Sequence, residues 1–298
     1  MELEFLGTSS AVPSKQRNHT SISLKAFGEV MLFDCGEGTQ RQLTNAHISP
    51  MKINKIFITH FHGDHILGLP GLIQSMGFRG RENTLDIYGP KGLETLINTI
   101  QHIGYFIINY PINFHEIQED GKIIETEEYQ IECAFVEHNV PTLAYSITEK
   151  KKPRFLREKA IELGVPVGPD FGRLHNGETI TIEGKEITPD MVLGPHRTGK
   201  KITYSGDTRP TENLVKLAEN SDILIHESTY EISDEEKAIN NAHSTSKDAA
   251  KIAEKANVKH LILTHFSTRY INTDTIKEEA TAIFPNTTVA FDFLKIEL

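Results

Sequence analysis

His60-Phe61-His62-Gly63-Asp64-His65 places three imidazoles and a carboxylate within six residues, directly after the apolar run Ile56-Phe57-Ile58-Thr59. A strand ending in such a cluster hands its last residues to a turn, where alternate side chains can converge on one point. Imidazole together with carboxylate suits zinc and its first-row neighbours, whereas calcium and magnesium sites are mostly oxygen. Four potential ligands are one too many for a single catalytic zinc, which takes three from the protein and keeps a position for water. The stretch therefore predicts two cations, with the missing ligands supplied from elsewhere in the chain. A closed structural site would favour cysteine, and the cluster has none.

Outward from this stretch, short apolar runs recur, and each ends in residues able to bind metal or perform catalysis. Val30–Phe33 leads to Asp34-Cys35-Gly36, and Ile131–Val136 leads to Glu137-His138. Ile202–Gly206 leads to Asp207, Asp222–Ile225 to His226-Glu227, and Leu261–Thr264 to His265. Near-continuous apolar and β-branched runs of this length fit strands buried on both faces. Helical patterns lie between them at roughly 69–77, 90–103, 210–219, 245–256 and 274–283. Ser244, Thr245 or Ser246 can cap the fourth of these. Strands alternating with helices predict an α/β architecture around a layered sheet core. Ligands 200 positions apart can then meet at one edge of the sheet.

Two ligand sets follow. His60 and His62 take a distant imidazole, for which His138 is the best-placed candidate; Asp64 and His65 take His265. Asp207, behind a strand and Gly206, can bridge both. Two metals about 3.5–4 Å apart polarise a phosphoryl or carbonyl group and hold a shared hydroxide, giving a hydrolase centre without a Ser or Cys nucleophile. Taken singly these residues say little. Nine of the 14 histidines stay outside the sets, and Gly-Asp-Thr is a common turn composition. Glu227 and His243 form a candidate carboxylate–imidazole pair, the imidazole held protonated as a general acid for an alkoxide leaving group.

The chain has 298 residues and a net charge of −10, from 31 basic and 41 acidic residues. On its face this acidity argues against a nucleic-acid partner, because phosphate binding usually shows as a basic surface, but the distribution is uneven. From Lys150 to Lys201 the sequence is rich in Pro, Gly and charge, with 11 Lys and Arg against 7 Asp and Glu. The rest of the chain has 20 against 34. A segment this long without a clear strand–helix pattern reads as an insertion with a function or as disorder. Two cysteines, Cys35 and Cys133, without zinc-finger spacing fit a reducing cytosol. The start Met1-Glu2-Leu3-Glu4-Phe5 has acids where a signal peptide has positive charge. No apolar stretch approaches the ~18 residues of a spanning helix. The expectation is a soluble cytoplasmic protein with no membrane partner.

His60-x-His62-x-Asp64-His65 with His138, Asp207 and His265 resembles the metallo-β-lactamase superfamily, whose fold hosts many hydrolases. The finer resemblance is to ribonuclease Z, the tRNA 3′-processing endonucleases, in their short form. Pro13-Ser14-Lys15-Gln16-Arg17-Asn18 matches that family's PxKxRN loop, and Gly63-Asp64-His65 followed by Gly68-Leu69-Pro70-Gly71-Leu72 matches its metal-loop helix. His226-Glu227-Ser228-Thr229 resembles its HEAT segment with Ser228 in place of Ala, and His243-Ser244-Thr245 is its HST motif. The insertion occupies the place of its tRNA-gripping arm.

The resemblance implies a single catalytic domain over 1–298, an α/β αββα sandwich with an inserted projecting arm at about 150–197. It implies two zinc ions per subunit, with manganese or another first-row divalent metal sharing the ligand preferences. The implied substrate is precursor tRNA, cut after the discriminator base to leave a 3′-hydroxyl, with Asp64 both ligand and proton acceptor for the attacking water. A homodimer is implied as well. Lys15, Arg17, Lys150, Lys151, Lys152, Arg154 and Arg157 are the candidate RNA contacts, because a local basic element suffices for phosphate binding. Two rivals stand beside this reading. A small-molecule hydrolase of a thioester or cyclic phosphodiester explains the metals but not the basic insertion. A non-enzymatic RNA-binding or metal-storing protein has no need of the Glu227–His243 pair.

Overall fold

In the computed structural model, residues 1–105, 107–195 and 197–298 are described. Their strands, in chain order, begin with β1 (Glu2–Gly7), β2 (Ser21–Ala26), β3 (Glu29–Phe33), β4 (Ile53–Phe57), β5 (Leu85–Pro90) and β6 (Ile112–Ile117). There follow β7 (Gly121–Glu125), β8 (Tyr129–Val136), β9 (Thr142–Lys151), β10 (Ile180–Ile182), β11 (Lys185–Ile187) and β12 (Arg197–Tyr204). The last four are β13 (Ile223–Glu227), β14 (Leu261–Thr264), β15 (Thr287–Val289) and β16 (Lys295–Glu297).

One compact unit comprises residues 1–126, 130–148 and 200–298. It is built on two seven-stranded sheets, ordered β16-β1-β2-β3-β4-β5-β6 and β15-β14-β13-β12-β9-β8-β7. In the first sheet β16, β1, β2 and β3 pair antiparallel and β3 to β6 run parallel; in the second β12 to β15 run parallel and β7 pairs antiparallel with β8. The parallel halves carry the helices, as parallel connections require.

The sheets pack face to face through aromatic side chains. Phe33 of β3 meets Tyr204 of β12 with ring centroids 6.2 Å apart, and Phe57 of β4 meets Tyr145 of β9 at 5.4 Å. The buried Tyr145 hydroxyl donates to the Ile58 carbonyl at 2.7 Å, so the phenol's polar end is satisfied inside the core. On the outer face of the first sheet, Leu43, Leu72, Ile73, Met76 and Ile97, from helices Thr39–Asn45, Leu69–Phe78 and Leu93–Gln101, join a core with Leu32, Ile56 and Ile87. On the second, Leu214, Ala249, Ala253 and Ile276, from helices Glu212–Ala218, Ser246–Lys255 and Asp274–Thr281, pack with Leu224, Leu261 and Leu263. Every residue of β13 and β14 is buried, because each lies between the other sheet and a helix layer. The result is the expected αββα sandwich.

Of the three cap candidates, Thr245 takes the role. Its hydroxyl accepts the Asp248 N–H at 3.2 Å and Asp248 accepts the Thr245 N–H at 3.0 Å, a reciprocal capping box. This fixes the chain two residues after His243.

A second compact unit comprises residues 127–129 and 149–199. The expectation that this region lacks a strand–helix pattern is corrected. It forms short helices at Arg157–Glu162, Pro169–His175 and Pro189–Val192 and the β10–β11 hairpin. Ala160, Val165, Leu174, Ile180, Ile187 and Val192 make a small core of its own. Elements of three to seven residues are too short to show a hydrophobic period. Their ends are nevertheless marked: proline opens two of the helices. Glu183 and Gly184 both take positive φ, 49° and 80°, in the two-residue hairpin turn. No helix among the described residues is long and apolar enough to cross a membrane.

Candidate metal centre

The site residues stand where strands end. β4 runs through Ile58 and Thr59 into His60 and His62, and the short helix Gly63–Ile66 carries Asp64 and His65. His138 follows β8, Asp207 follows β12, Glu227 is the last residue of β13, and His265 follows β14. Two of these turns need left-handed backbone: φ is 60° at Gly206, next to Asp207, and 61° at His265 itself. Gly36 lets the helix of Asp64 come close, because a Cβ there would lie 2.3 Å from the Asp64 carbonyl oxygen.

Two groups of donor atoms result. Those of His60, His62, His138 and Asp207 lie within 4.8 Å of one another, as do those of Asp64, His65, Asp207 and His265. His60 Nε2 stands 3.0 Å from His62 Nδ1, which is 3.3 Å from His138 Nε2. In the second group His65 Nε2 and His265 Nε2 are 3.3 Å apart, and His265 Nε2 is 3.3 Å from Asp64 Oδ2. Asp207 Oδ2 lies between the groups, 3.6 Å from His60 Nε2 and 3.3 Å from both His65 Nε2 and His265 Nε2. The structure thus brings all seven sequence-selected residues together.

Four of the five imidazoles have their other nitrogen engaged. His60 Nδ1 contacts Thr59 Oγ1 at 2.9 Å, and His65 Nδ1 contacts Asp34 Oδ2 at 2.8 Å. His138 Nδ1 faces the Ala242 carbonyl at 2.7 Å, and His265 Nδ1 faces Thr229 Oγ1 at 2.9 Å. A ring that donates outward presents its lone pair inward, so acceptor faces acceptor across each group. Divalent cations satisfy such an arrangement. Asp207 Oδ1, buried and without a hydrogen-bond partner among the described residues, fits the same conclusion.

The electrostatics agree. Burial raises the Asp207 carboxyl, but the charges of His265, His65 and His60 outweigh it and hold the group well below its ordinary value. Burial pushes His65 down, while Asp207, Asp34 and Asp64 pull it well above the usual imidazole range. Burial and the neighbouring His65 push His60 well down, against Asp207. Buried carboxylates here draw positive charge onto whichever imidazole they surround, a requirement divalent cations meet directly.

Asp34, Thr59, Tyr204 and Thr229 escaped the sequence reading as functional residues. Asp34, at φ 57°, accepts the Thr59 N–H at 2.8 Å and the Tyr204 hydroxyl at 2.9 Å while orienting His65. The one sequence signal for it is its place after the run Val30–Phe33, shared with the ligands after the other runs.

Beside these groups, Glu227 and His243 meet. His243 Nδ1 lies 2.8 Å from Glu227 Oε1, which also accepts the Thr208 N–H at 2.8 Å. Glu227 Oε2 accepts the Thr229 hydroxyl at 2.6 Å. Burial lowers the His243 imidazole, but Glu227's charge and hydrogen bond, with Asp207 behind, raise it to about 9. His243 is thus a cation at neutral pH, and with Nδ1 held by Glu227 its Nε2 is the atom left to meet a ligand. His243, Asp64, Asp207 and His265 line a cleft of about 820 Å³ that also contains His62, Arg269 and Asn139.

The candidate RNA contacts are placed differently from one another. Lys15 is exposed, but the half-buried Arg17 donates to the Tyr270 carbonyl and stands 5.8 Å over the Phe266 ring. In the second unit Lys150 is half-buried, Lys151 pairs with Glu149 at 3.1 Å, and Lys152 donates to Asn176 at 3.1 Å. Arg154 and Arg157 are exposed.

Fold and site define a hydrolase scaffold of the metallo-β-lactamase superfamily. Residues 175–266 match the family model for the beta-lactamase superfamily domain, and residues 1–150 match that of the anti-Pycsar protein Apyc1. The chain is 56% identical to a ribonuclease Z of Methanothermobacter thermautotrophicus over 298 residues, covering 100% of this chain and 97% of the relative. It is 45% identical to a Bacillus licheniformis ribonuclease Z, over 100% of this chain and 99% of the other. The crystal structure of human tRNase Z, short form, superposes with a TM-score of 0.72 at 28% identity, covering 100% of this chain and 99% of that one. The chain belongs to the ribonuclease Z family.

Two outcomes follow from this geometry. Asp34→Asn is expected to weaken zinc affinity by about 10–100-fold, the usual scale for a residue that orients a metal-binding imidazole. Competition with a chromophoric chelator measures it, and an unchanged affinity would remove Asp34 from the site. Glu227→Gln removes the charge that holds the proton on His243, so that imidazole deprotonates at lower pH. The alkaline limb of the pH–rate profile for precursor-tRNA cleavage, whose leaving group is an alkoxide, should then move down by about one pH unit; a limb that stays in place would mean another group supplies the proton.

Proposed function

We infer that this chain is a metal-dependent endoribonuclease that removes 3′ trailers from precursor tRNA by hydrolysing one phosphodiester. The observation that carries the reading is the convergence of two donor groups beside the Glu227–His243 pair, in a chain that matches ribonuclease Z relatives from end to end.

His60, His62 and His138 would hold one zinc, Asp64, His65 and His265 the other, and Asp207 would bridge them. Manganese or another first-row divalent ion suits the same donors. Two such ions, when bound, bring the pKa of water toward neutrality and polarise the phosphoryl oxygens.

The chain's own residues manage the protons. Asp64, held well below its ordinary pKa although burial opposes this, is ionised and accepts a proton from the attacking water. The new bond joins the water oxygen to phosphorus, and the bond from phosphorus to the 3′-oxygen of the discriminator nucleotide breaks. His243 delivers its Nε2 proton to that oxygen, giving a tRNA 3′-hydroxyl and a trailer with a 5′-phosphate. Glu227 keeps His243 charged and aimed until then.

The basic insertion answers the question of how an acidic protein binds RNA. Arg154 and Arg157, exposed on the second unit, with Lys150, Lys151 and Lys152 beside them, offer phosphate contacts to the tRNA body. Lys15 would meet phosphates near the cut. The protein would work in the cytoplasm as a homodimer.

Asp64→Ala should lower precursor-tRNA cleavage by about 10²–10⁴-fold with an unchanged circular dichroism spectrum, since it removes both a ligand and a proton acceptor. Substantial remaining activity would refute the role. Deleting residues 152–195 is expected to reduce tRNA processing by about a hundredfold or more, as several phosphate contacts are lost, while aryl phosphodiester hydrolysis changes little. Equal loss on both substrates would separate the second unit from RNA binding and favour a small-molecule hydrolase.

A further inference from the structure

Asp292 lies outside the cleft, between β15 and β16, yet three segments are tied to its carboxylate, two of which continue into the cleft lining at Ser10–Val12 and His19. Oδ1 accepts the Thr8 hydroxyl at 2.9 Å. Oδ2 accepts the Asn18 N–H at 2.8 Å and the Gln42 side-chain amide at 3.0 Å.

Each donor anchors a different piece of chain. Thr8 continues β1, and its carbonyl accepts the N–H of Phe266, the residue after His265, at 2.9 Å. Gln42, on helix Thr39–Asn45, also donates to the Leu6 carbonyl at 2.7 Å. Asn18 closes the loop Pro13–Asn18, and its side-chain amide donates to the Glu37 carbonyl at 2.9 Å. Inside that loop the Ser14 N–H donates to the Arg17 carbonyl at 2.8 Å, and the Ser14 hydroxyl accepts the Arg17 N–H at 3.0 Å. The turn so formed presents Lys15 to solvent. Arg17 extends the tie to the far wall through the Tyr270 carbonyl and the Phe266 ring. Ala11, Val12 and His19, and Ser267, Thr268 and Arg269, all line the cleft and belong to the segments joined in this way.

A carboxylate holding donors from three segments fixes their mutual placement, and charge-assisted bonds are the stronger kind. A loop of exposed polar residues has little apolar burial to hold it, so hydrogen bonds fix it: this carboxylate, the Ser9 N–H donating to the Asn18 carbonyl at 2.9 Å, and the contacts of Arg17. We propose that Asp292 is a positioning residue for the RNA substrate: it sets the Pro13–Asn18 loop, and Lys15 with it, against the cleft where the phosphodiester is cut. The role rests on the RNA-cleaving reading above. Asp292 touches neither the metal-binding groups nor the Glu227–His243 pair in the contacts described, so its effect is on binding and not on the chemical step.

The test uses the full-length, zinc-loaded protein with two substrates, a precursor tRNA and bis(p-nitrophenyl) phosphate. Asp292→Asn keeps the shape but replaces one acceptor oxygen by a donor. KM for the precursor should rise about tenfold, the scale of one hydrogen bond to a charged group, with kcat nearly unchanged. Turnover of the aryl phosphodiester should stay within about twofold. Lys15→Ala should raise KM in the unsubstituted protein yet add little in the Asp292→Asn background, because the loop is already displaced. Should Asp292→Asn melt below the assay temperature, Thr8→Val, which removes a single donor, makes the same comparison and should raise KM about threefold. Equal losses on both substrates, an unchanged KM, or strictly additive effects with Lys15→Ala would overturn the positioning role. Failure of the unsubstituted protein to cut the precursor would overturn the RNA reading itself, and the positioning role with it.

Discussion

The centre of this molecule is a set of carboxylates withdrawn from water. Asp34, Asp207 and Glu227 are no more than 2% exposed, and Asp64 only 9%. Isolated buried carboxylates are strongly destabilising, so each must have positive charge and donors within reach. Asp34 has Thr59, Tyr204 and His65; Glu227 has Thr208, Thr229 and His243. Among the described residues, Asp64 and Asp207 face chiefly the inward nitrogens of the imidazoles, which are themselves lone-pair donors when oriented by their outer partners. The balance is completed by cations, and this makes the site a metal centre and not a salt-bridged core.

The same constraint explains the surrounding architecture. Parallel strands deliver their carboxyl ends to one edge, and turns there can carry side chains from both sheets to the same point. Left-handed backbone at Asp34, Gly206 and His265 turns the chain sharply enough to do so. The outer shell of Thr59, Asp34, Thr229 and the Ala242 carbonyl then fixes each ring. Glu227 links this shell to His243: its two oxygens hold both Thr229, which faces His265, and the His243 imidazole. The metal-binding imidazoles and the Glu227–His243 pair therefore share one connected network.

Much of the fold was legible because its strands are saturated with apolar residues. The runs at 30–33, 131–136 and 261–264 correspond to β3, β8 and β14, and all five helical patterns correspond to helices. β1, β2 and β5 were not read, since their alternating or mixed composition carries no statement of which face is buried until a partner strand is in place. Helix Thr39–Asn45 was missed for a related reason: it begins at a left-handed Gly38 with no side-chain cap and spans only two turns. The insertion was legible by charge and by its prolines and glycines, whereas its helices and hairpin, stabilised by a six-residue core, were too short to leave a period.

The sequence by itself determined the candidate ligand types and the ends of the strands that carry them, because metal preference and strand-end turns are local chemistry written in residue identity. Tertiary structure alone decided which atoms face one another, and so that Asp34 belongs to the site while Arg17 faces the Tyr270 carbonyl and the Phe266 ring. It also decided that Asp292, 284 positions from Thr8, joins the segments around the cleft. Such roles arise from burial and direction, and a side chain has neither until the chain has closed around it.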